Sequence, residues 1–122
     1  MDYMFLIYSD PAAQWTPERM RAATTAHWGV MDDAAGRGVL KSCSPLAPPA
    51  TAVTVRCANG STTMTDGPFA ETREFLAGYY VIACDDAADA KYWAERISAA
   101  GCGSTVEVRA SAPVSARLAA HA

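Results

Sequence analysis

The chain has 122 residues, of which 51% are hydrophobic and 19% are charged, and its formal net charge is −3. This length suits one domain with a buried core, and the weak negative charge argues against nucleic acid as a partner. No segment reaches the roughly 18 apolar residues of a membrane span, and the first residues lack the features of a signal peptide. We therefore expect a cytoplasmic protein that does not bind membranes.

The first quarter of the chain predicts a strand followed by a helix. Residues 3–8 are apolar in both alternating sets, which predicts a strand buried on both faces. The sequence Thr-Pro-Glu at 16–18 is a helix start, with threonine as the N-cap, proline at the first helical position and an acid near the positive end of the helix dipole. This helix is predicted to end near Ala35, before a glycine-rich segment.

The middle of the chain predicts a strand and then a hairpin. Residues 39–46 form an extended run that stops at a cluster of prolines, and residues 53–57 alternate between apolar and polar side chains. Ala-Asn-Gly at 58–60 is a hairpin turn signal, and residues 61–64 form the return arm. The sequence Asp-Gly-Pro-Phe at 66–69 then predicts a sharp turn, because glycine accepts unusual dihedrals and proline fixes its own φ.

The last part predicts a strand, a helix and a final strand. A short helical piece is expected over residues 71–76, a strand over 78–84, a second helix over 87–99 capped by the preceding aspartates, and a strand over 105–109. Together the elements predict an α+β, ferredoxin-like β-α-β-β-β-α-β sandwich with an inserted hairpin. We expect one domain over residues 1–110, followed by an alanine-rich tail over 111–122 that is either a frayed helix or disordered.

The predicted topology also indicates how the chain associates. Right-handed crossovers place both helices on one side of such a sheet, so the other face is left open. Because the strands over residues 3–8 and 78–84 present apolar side chains to that face too, it would be an association surface. We therefore expect a homodimer in which the two sheets close on each other.

The segment 66–80, which reads Asp-Gly-Pro-Phe-Ala-Glu-Thr-Arg-Glu-Phe-Leu-Ala-Gly-Tyr-Tyr, resembles the signature of the YCII-related family, in the subgroup named after its Asp-Gly-Pro-Phe motif. The resemblance extends from Tyr3 to Arg109. It implies a dimeric α/β barrel and, for the subgroup, an association with extracytoplasmic-function sigma factors. It also implies a first-helix histidine paired with an aspartate after the second helix. His27 matches the histidine, whereas residues 97–103 contain no carboxylate.

His27 is the first candidate for chemistry. It shares a helix face with Met20, Thr24, Met31 and Ala34, so it points toward the sheet. An unperturbed pKa of about 6.5 suits a general acid or base, and the alternative is a partly buried histidine with one hydrogen bond. Asp66 is the acidic partner that the sequence offers; the alternative is that it only fixes its turn.

Three further residues, Glu71, Arg109 and Tyr80, are candidates for binding a ligand. Glu71 either faces a pocket or caps a short helix. Glu107 and Arg109 project from one face of the last strand, where Arg109 could hold an anionic substrate or pair across the dimer. Tyr79 and Tyr80 point to opposite faces, so one of them packs in the core. The other could line a cavity, and we assign this role to Tyr80.

Two functions remain open from the sequence. The first is a small-molecule enzyme of the lyase or isomerase type that transfers protons in a cavity, with His27 as acid or base and Asp66 sharing protons. The sequence has no phosphate loop, metal-ligand cluster or nucleophile elbow, so this enzyme would need no cofactor or metal. The second is a non-catalytic dimer that binds a ligand or a protein partner.

Overall fold

The computed structural model describes residues 1–70 and 73–112. These residues form six strands, two α-helices and one short 3₁₀ turn in the α+β order that the sequence predicts. In chain order the elements are β1 Asp2–Ser9, α1 Pro17–Gly36, β2 Leu40–Pro45, the 3₁₀ turn Pro49–Thr51, β3 Val53–Ala58, β4 Ser61–Asp66, β5 Phe75–Ala83, α2 Ala87–Ala100 and β6 Thr105–Ala110.

Both helices begin at the residues that the sequence predicts, because a side chain caps each first turn. The Arg19 amide donates to Thr16 Oγ1 at 3.1 Å, and Pro17 occupies the first helical position of α1. The Asp89 amide donates to Asp86 Oδ1 at 2.8 Å at the start of α2. Each capping oxygen satisfies an amide that has no partner within the helix.

The strands form a four-stranded sheet in the order β2-β5-β1-β6 and a separate two-stranded sheet, β3-β4. All neighbouring strands are antiparallel, so β1 and β2 run in the same direction with β5 between them. This arrangement is compatible with a ferredoxin-like fold. The inserted hairpin turns at Asn59 and Gly60, whose φ values of 51° and 78° match the predicted tight turn.

Both helices pack on one face of the four-stranded sheet. Phe5 lies opposite Tyr80 in the β1–β5 register, and these two side chains belong to the buried core on the helix side. The fully buried large side chains are Trp93, Phe5, Ile82 and Ile97. On the other face, Met4 of β1 is 36% exposed. Within one chain, the predicted burial of β1 on both faces therefore holds only for the helix side.

One predicted element differs in the structure. The short helix expected over residues 71–76 does not extend to its predicted end, because Phe75 and Leu76 already belong to β5, opposite Ser9 and Tyr8. Cross-strand pairing, with a bulge after Ile7, outweighs the local preference for a turn of helix. Residues 71–72 and most of the predicted tail, 113–122, lie outside the described residues.

Within the described part of the chain, neither helix combines the length and the apolar character that crossing a membrane requires.

Candidate functional site

The site is centred on a direct contact between α1 and β5. His27 is half-buried on the face of α1 that carries the buried residues Ala23 and Val30. Its Nδ1 lies 2.7 Å from the hydroxyl of Tyr80, which is 4% exposed. The two rings stack with centroids 5.8 Å apart and planes at 29°. The packing of α1 on the sheet therefore sets both the position and the orientation of the imidazole.

Burial fixes the charge state of both groups. It lowers the pKa of His27 below its ordinary value of 6.5, because removing the imidazolium from water is unfavourable. It raises the pKa of Tyr80 to about 12, and the nearby Cys43 adds to this effect. The pair is therefore a neutral imidazole and a protonated phenol near neutral pH.

The hydrogen bond indicates which imidazole nitrogen carries the proton. Among the described residues, the Tyr80 hydroxyl has no hydrogen-bond partner besides His27. If the phenol donates to Nδ1, its proton has an acceptor and the imidazole proton resides on Nε2. If Nδ1–H donated to the phenol oxygen instead, the phenol proton would have no acceptor among these residues. We infer that Nε2–H is the resting form.

The end of α2 lies on the Nε2 side of the ring. A Cβ atom placed on Gly101 would be 3.5 Å from His27 Nε2 and 2.4 Å from Ser104 Oγ. This Oγ is buried and has no hydrogen-bond partner. Groups from β5 and from the end of α2 thus lie around the imidazole: the Tyr80 phenol contacts Nδ1, and Gly101 lies on the Nε2 side, with Ser104 Oγ next to it.

Asp66 lies at the end of β4, in the two-stranded sheet, and is exposed. The predicted turn follows it: Gly67 has a φ of +96°, and its amide donates to the Ala52 carbonyl at 2.7 Å. No hydrogen bond or ion pair described for residues 1–70 and 73–112 joins Asp66 to His27, so a shared proton between them stays a prediction. Glu71, the other predicted acid, lies outside the described residues.

Arg109 and Glu107 lie on the helix-free face of the sheet. In the β1–β6 register Arg109 is opposite Met4, and Glu107 is opposite Leu6. His27 and Tyr80 lie on the helix side, so the sheet of one chain separates them from Arg109. An anion held by Arg109 would therefore belong to a different surface from the imidazole, and the predicted role of Arg109 stays a prediction for that surface.

Sequence comparison supplies the family. The family model of the YCII-related domain matches residues 1–112, nearly the whole chain. The chain belongs to the YCII-related family. It is also 35% identical over 94 residues to an uncharacterized protein of Rhizobium meliloti (strain 1021), a match that covers 73% of this chain and 76% of the relative. The narrower assignment to the Asp-Gly-Pro-Phe subgroup stays a prediction.

Two surface cavities flank the sheet of this YCII-related protein. One, of about 460 Å³, lies between α2 and β6, and Ser104 is part of its wall together with Lys91, Ser98 and Thr105. The other, of about 660 Å³, lies on the helix-free side, where Arg73 approaches Asp10 at 3.8 Å and Thr105 Oγ1 donates to Glu74 at 3.1 Å. His27 lines neither of these two cavities. The first cavity is lined by Ser104, the residue next to Gly101 on the Nε2 side of the imidazole.

The described residues contain no group of three or more histidine, cysteine, aspartate or glutamate side chains arranged to hold a metal ion.

Sequence reasoning missed two features of this site. It did not foresee that Tyr80 is the hydrogen-bond partner of His27; the role of Tyr80 in lining a cavity stays a prediction. It searched residues 97–103 only for a carboxylate, whereas the residue on the Nε2 side of the ring is Gly101, with Ser104 Oγ next to it. A glycine at a helix end is a weak signal, and only the folded chain shows that this helix end lies beside the imidazole.

Proposed function

We propose that this YCII-related protein is a cofactor-independent enzyme of the lyase or isomerase type that transfers a proton on a small molecule, with His27 as the acid–base group. The observation that supports this proposal is the 2.7 Å contact between a half-buried imidazole and a buried phenol. General acid–base catalysis by a positioned side chain contributes about 10²- to 10⁴-fold in rate. Such a group needs an accessible nitrogen and a defined tautomer. The Tyr80 contact supplies the defined tautomer.

The pair can present either a proton or a lone pair at Nε2. When the Tyr80 hydroxyl donates to Nδ1, Nε2–H can donate to an oxygen of the substrate. When the hydroxyl rotates and accepts from Nδ1–H, Nε2 has a free lone pair and can remove a proton from carbon. A hydroxyl can donate or accept, so Tyr80 stays uncharged in both states; the second state lacks an acceptor for the phenol proton among the described residues and is the less stable of the two.

The protein is further proposed to act as a homodimer that closes the helix-free faces of two sheets into a barrel. Leu6 and Met4 make this face partly apolar, while Glu107 and Arg109 place opposite charges two residues apart on it. A two-fold contact pairs the same surface with itself, so each charge can meet its opposite on the second copy. In this dimer Arg109 remains a candidate for binding a small anion, and Asp66 for sharing protons with His27.

A non-catalytic dimer that binds a ligand or a protein partner is the second candidate. The inserted hairpin favours it, because Val55 lies opposite Met64 and these side chains are 54% and 69% exposed. An isolated two-stranded hairpin is marginally stable in water, so burying its apolar side against another surface would stabilise it. A sigma factor is a possible partner only through the resemblance to the Asp-Gly-Pro-Phe subgroup.

Solvent deuterium exchange tests the enzyme proposal directly, because it detects proton transfer at carbon whatever product the reaction forms. Small carbonyl acids, beginning with pyruvate, are incubated with the protein in D₂O, and loss of the C–H signal is followed by proton NMR. The proposal expects exchange that falls about 10²-fold or more in His27→Ala. Tyr79→Phe is the matched control, since Tyr79 lies on the other face of β5.

Exchange at the same rate in the native protein and in folded His27→Ala would contradict the enzyme proposal. The partner-binding alternative has its own test, which is sedimentation of the protein with and without Met64→Lys. The partner-binding alternative predicts that Met64→Lys weakens self-association or partner binding while the four-stranded sheet stays folded.

A further inference from the structure

The two edges of the four-stranded sheet, β2 and β6, differ in how well they are protected against pairing with another chain. β2 carries Lys41 and ends at Pro45, and its pairing with β5 is irregular between Leu40 and Ser42. Lysine, proline and bulges are features that keep an edge strand from pairing. β6 has none of the three: its sequence is Thr-Val-Glu-Val-Arg-Ala, and it pairs with β1 without a register shift. The β6 edge is therefore open to another strand.

The hydrogen bonds beside β6 show which of its backbone groups face outward. The Ser111 amide donates to the Asp2 carbonyl of β1 at 2.9 Å. In an antiparallel strand the backbone groups of successive residues face opposite sides, so residues 107 and 109 also face β1. The N–H and C=O groups of Val106, Val108 and Ala110 face away from β1. Among residues 1–70 and 73–112, no strand pairs with β6 on that outward side.

The charges on β6 select a second copy of the same strand as the partner. If two copies pair antiparallel about Val108, then Val108 faces itself and Val106 faces the second copy's Ala110. All the outward N–H and C=O groups of these residues then form hydrogen bonds. Glu107 faces the second copy's Arg109 at a position without backbone hydrogen bonds, where side chains come closest. The two-fold repeats this contact, so two ion pairs form across the edge.

Other registers fit this edge less well. Pairing centred on Glu107 or on Arg109 places like charges opposite each other, which is destabilising. Pairing centred between two residues sets a helix-side residue opposite a residue of the helix-free side, because side chains alternate along a strand. Val108 agrees with the first register: it lies opposite the buried Phe5 on the helix side and is nevertheless 37% exposed. Pairing with its own copy would cover this apolar surface.

We propose that β6 pairs antiparallel with β6 of a second copy of this chain, centred on Val108, so that the two four-stranded sheets join edge to edge. A two-fold axis then relates the copies, as in most homodimers. The contact uses the sheet edge, and Glu107 and Arg109 still project from the helix-free face. It therefore goes beyond the proposed function and does not depend on it.

Hydrogen exchange at the backbone amides of β6 tests the proposal, because the strand contains its own control. The ¹⁵N-labelled protein is transferred into D₂O at a concentration at which it associates, and each amide signal is followed by NMR. The inward amides of Glu107 and Arg109 are bonded to β1 and should exchange slowly in any folded form. The outward amides of Val106, Val108 and Ala110 should exchange within about tenfold of the inward ones, because the second copy protects them.

Charge reversal tests the register. Glu107→Arg places arginine opposite arginine at both positions, so the dissociation constant from sedimentation equilibrium should rise about tenfold or more. The outward amides should then lose their protection while the inward ones keep it. The double variant Glu107→Arg with Arg109→Glu restores opposite charges and should associate like the native chain. Glu95→Arg is the matched control, since it makes the same change in net charge on α2, at a side chain that is 69% exposed.

Three results would overturn the proposal. The first is a native protein that stays monomeric. The second is an associated protein whose outward amides exchange as fast as unpaired ones, as expected of a dimer held only by its helix-free faces. The third is a double variant that associates as weakly as Glu107→Arg, which would place the two charges in a different contact. The acid–base role of His27 is decided separately, by deuterium exchange at the carbon of a small molecule.

Discussion

Removing the Tyr80 hydroxyl tests the contact on which the site depends. In Tyr80→Phe the ring still fills its buried position, while His27 Nδ1 loses its partner at 2.7 Å. Leaving one partner of a buried hydrogen bond unsatisfied costs about 1–3 kcal/mol. At roughly 2.1 cal/mol/K per residue of unfolding entropy, this chain should melt about 4–12 °C lower. Tyr79→Phe, on the opposite face of β5, should change stability by less than about 0.5 kcal/mol.

A double-mutant cycle separates the contact from other effects of the substitution. Guanidinium unfolding of native protein, Tyr80→Phe, His27→Ala and the double variant is followed by tryptophan fluorescence at one fixed protein concentration. If the two side chains bond to each other, their effects should be non-additive by about 0.5–3 kcal/mol. Additivity to within about 0.5 kcal/mol would show that the hydrogen bond contributes nothing, and would refute the geometry of the site.

Three further predictions concern pH, capping and the core. Because burial lowers the pKa of His27, the unfolded chain binds a proton at a higher pH than the folded chain. The free energy of unfolding should therefore fall as the pH drops below 6.5, and His27 can contribute at most about 1.4 kcal/mol per pH unit to this fall. In denaturation experiments at several pH values, His27→Ala should lack the contribution of His27 to this pH dependence. Asp86→Ala removes the N-cap of α2 and should cost about 1 kcal/mol, read from thermal unfolding; an unchanged melting temperature would contradict the cap. Ile82 is fully buried, so Ile82→Ala should cost about 2–5 kcal/mol in guanidinium unfolding, and a loss below about 1 kcal/mol would contradict its place in the core.

Local signals predict most of the fold. The Thr-Pro-Glu start of α1 and the Asn-Gly turn of the hairpin act through neighbouring residues only, and the structure has both where the sequence places them. The sequence predicts the start of β5 three residues late, because Phe75 and Leu76 are held by pairing with β1 across the sheet. A single sequence window contains no information about such a partner.

The site is harder to predict than the fold for the same reason. Helical periodicity correctly directs His27 toward the sheet, and strand alternation correctly places Tyr79 and Tyr80 on opposite faces. Neither pattern predicts which of the two tyrosines contacts His27. Gly101 lies beside the imidazole only because α2 ends next to α1, and it leaves room for Ser104 Oγ because it has no side chain. These relations depend on how the helices pack, not on residue spacing.

The protonation state of His27 tests the central claim most directly. A ¹⁵N NMR titration of the histidine-labelled protein gives both its pKa and its tautomer. The account predicts a pKa below 6.5 and a neutral form protonated on Nε2, with the tautomer preference weakened in Tyr80→Phe. A pKa at or above 6.5, or a tautomer that does not respond to removal of the Tyr80 hydroxyl, would contradict the proposed acid–base pair.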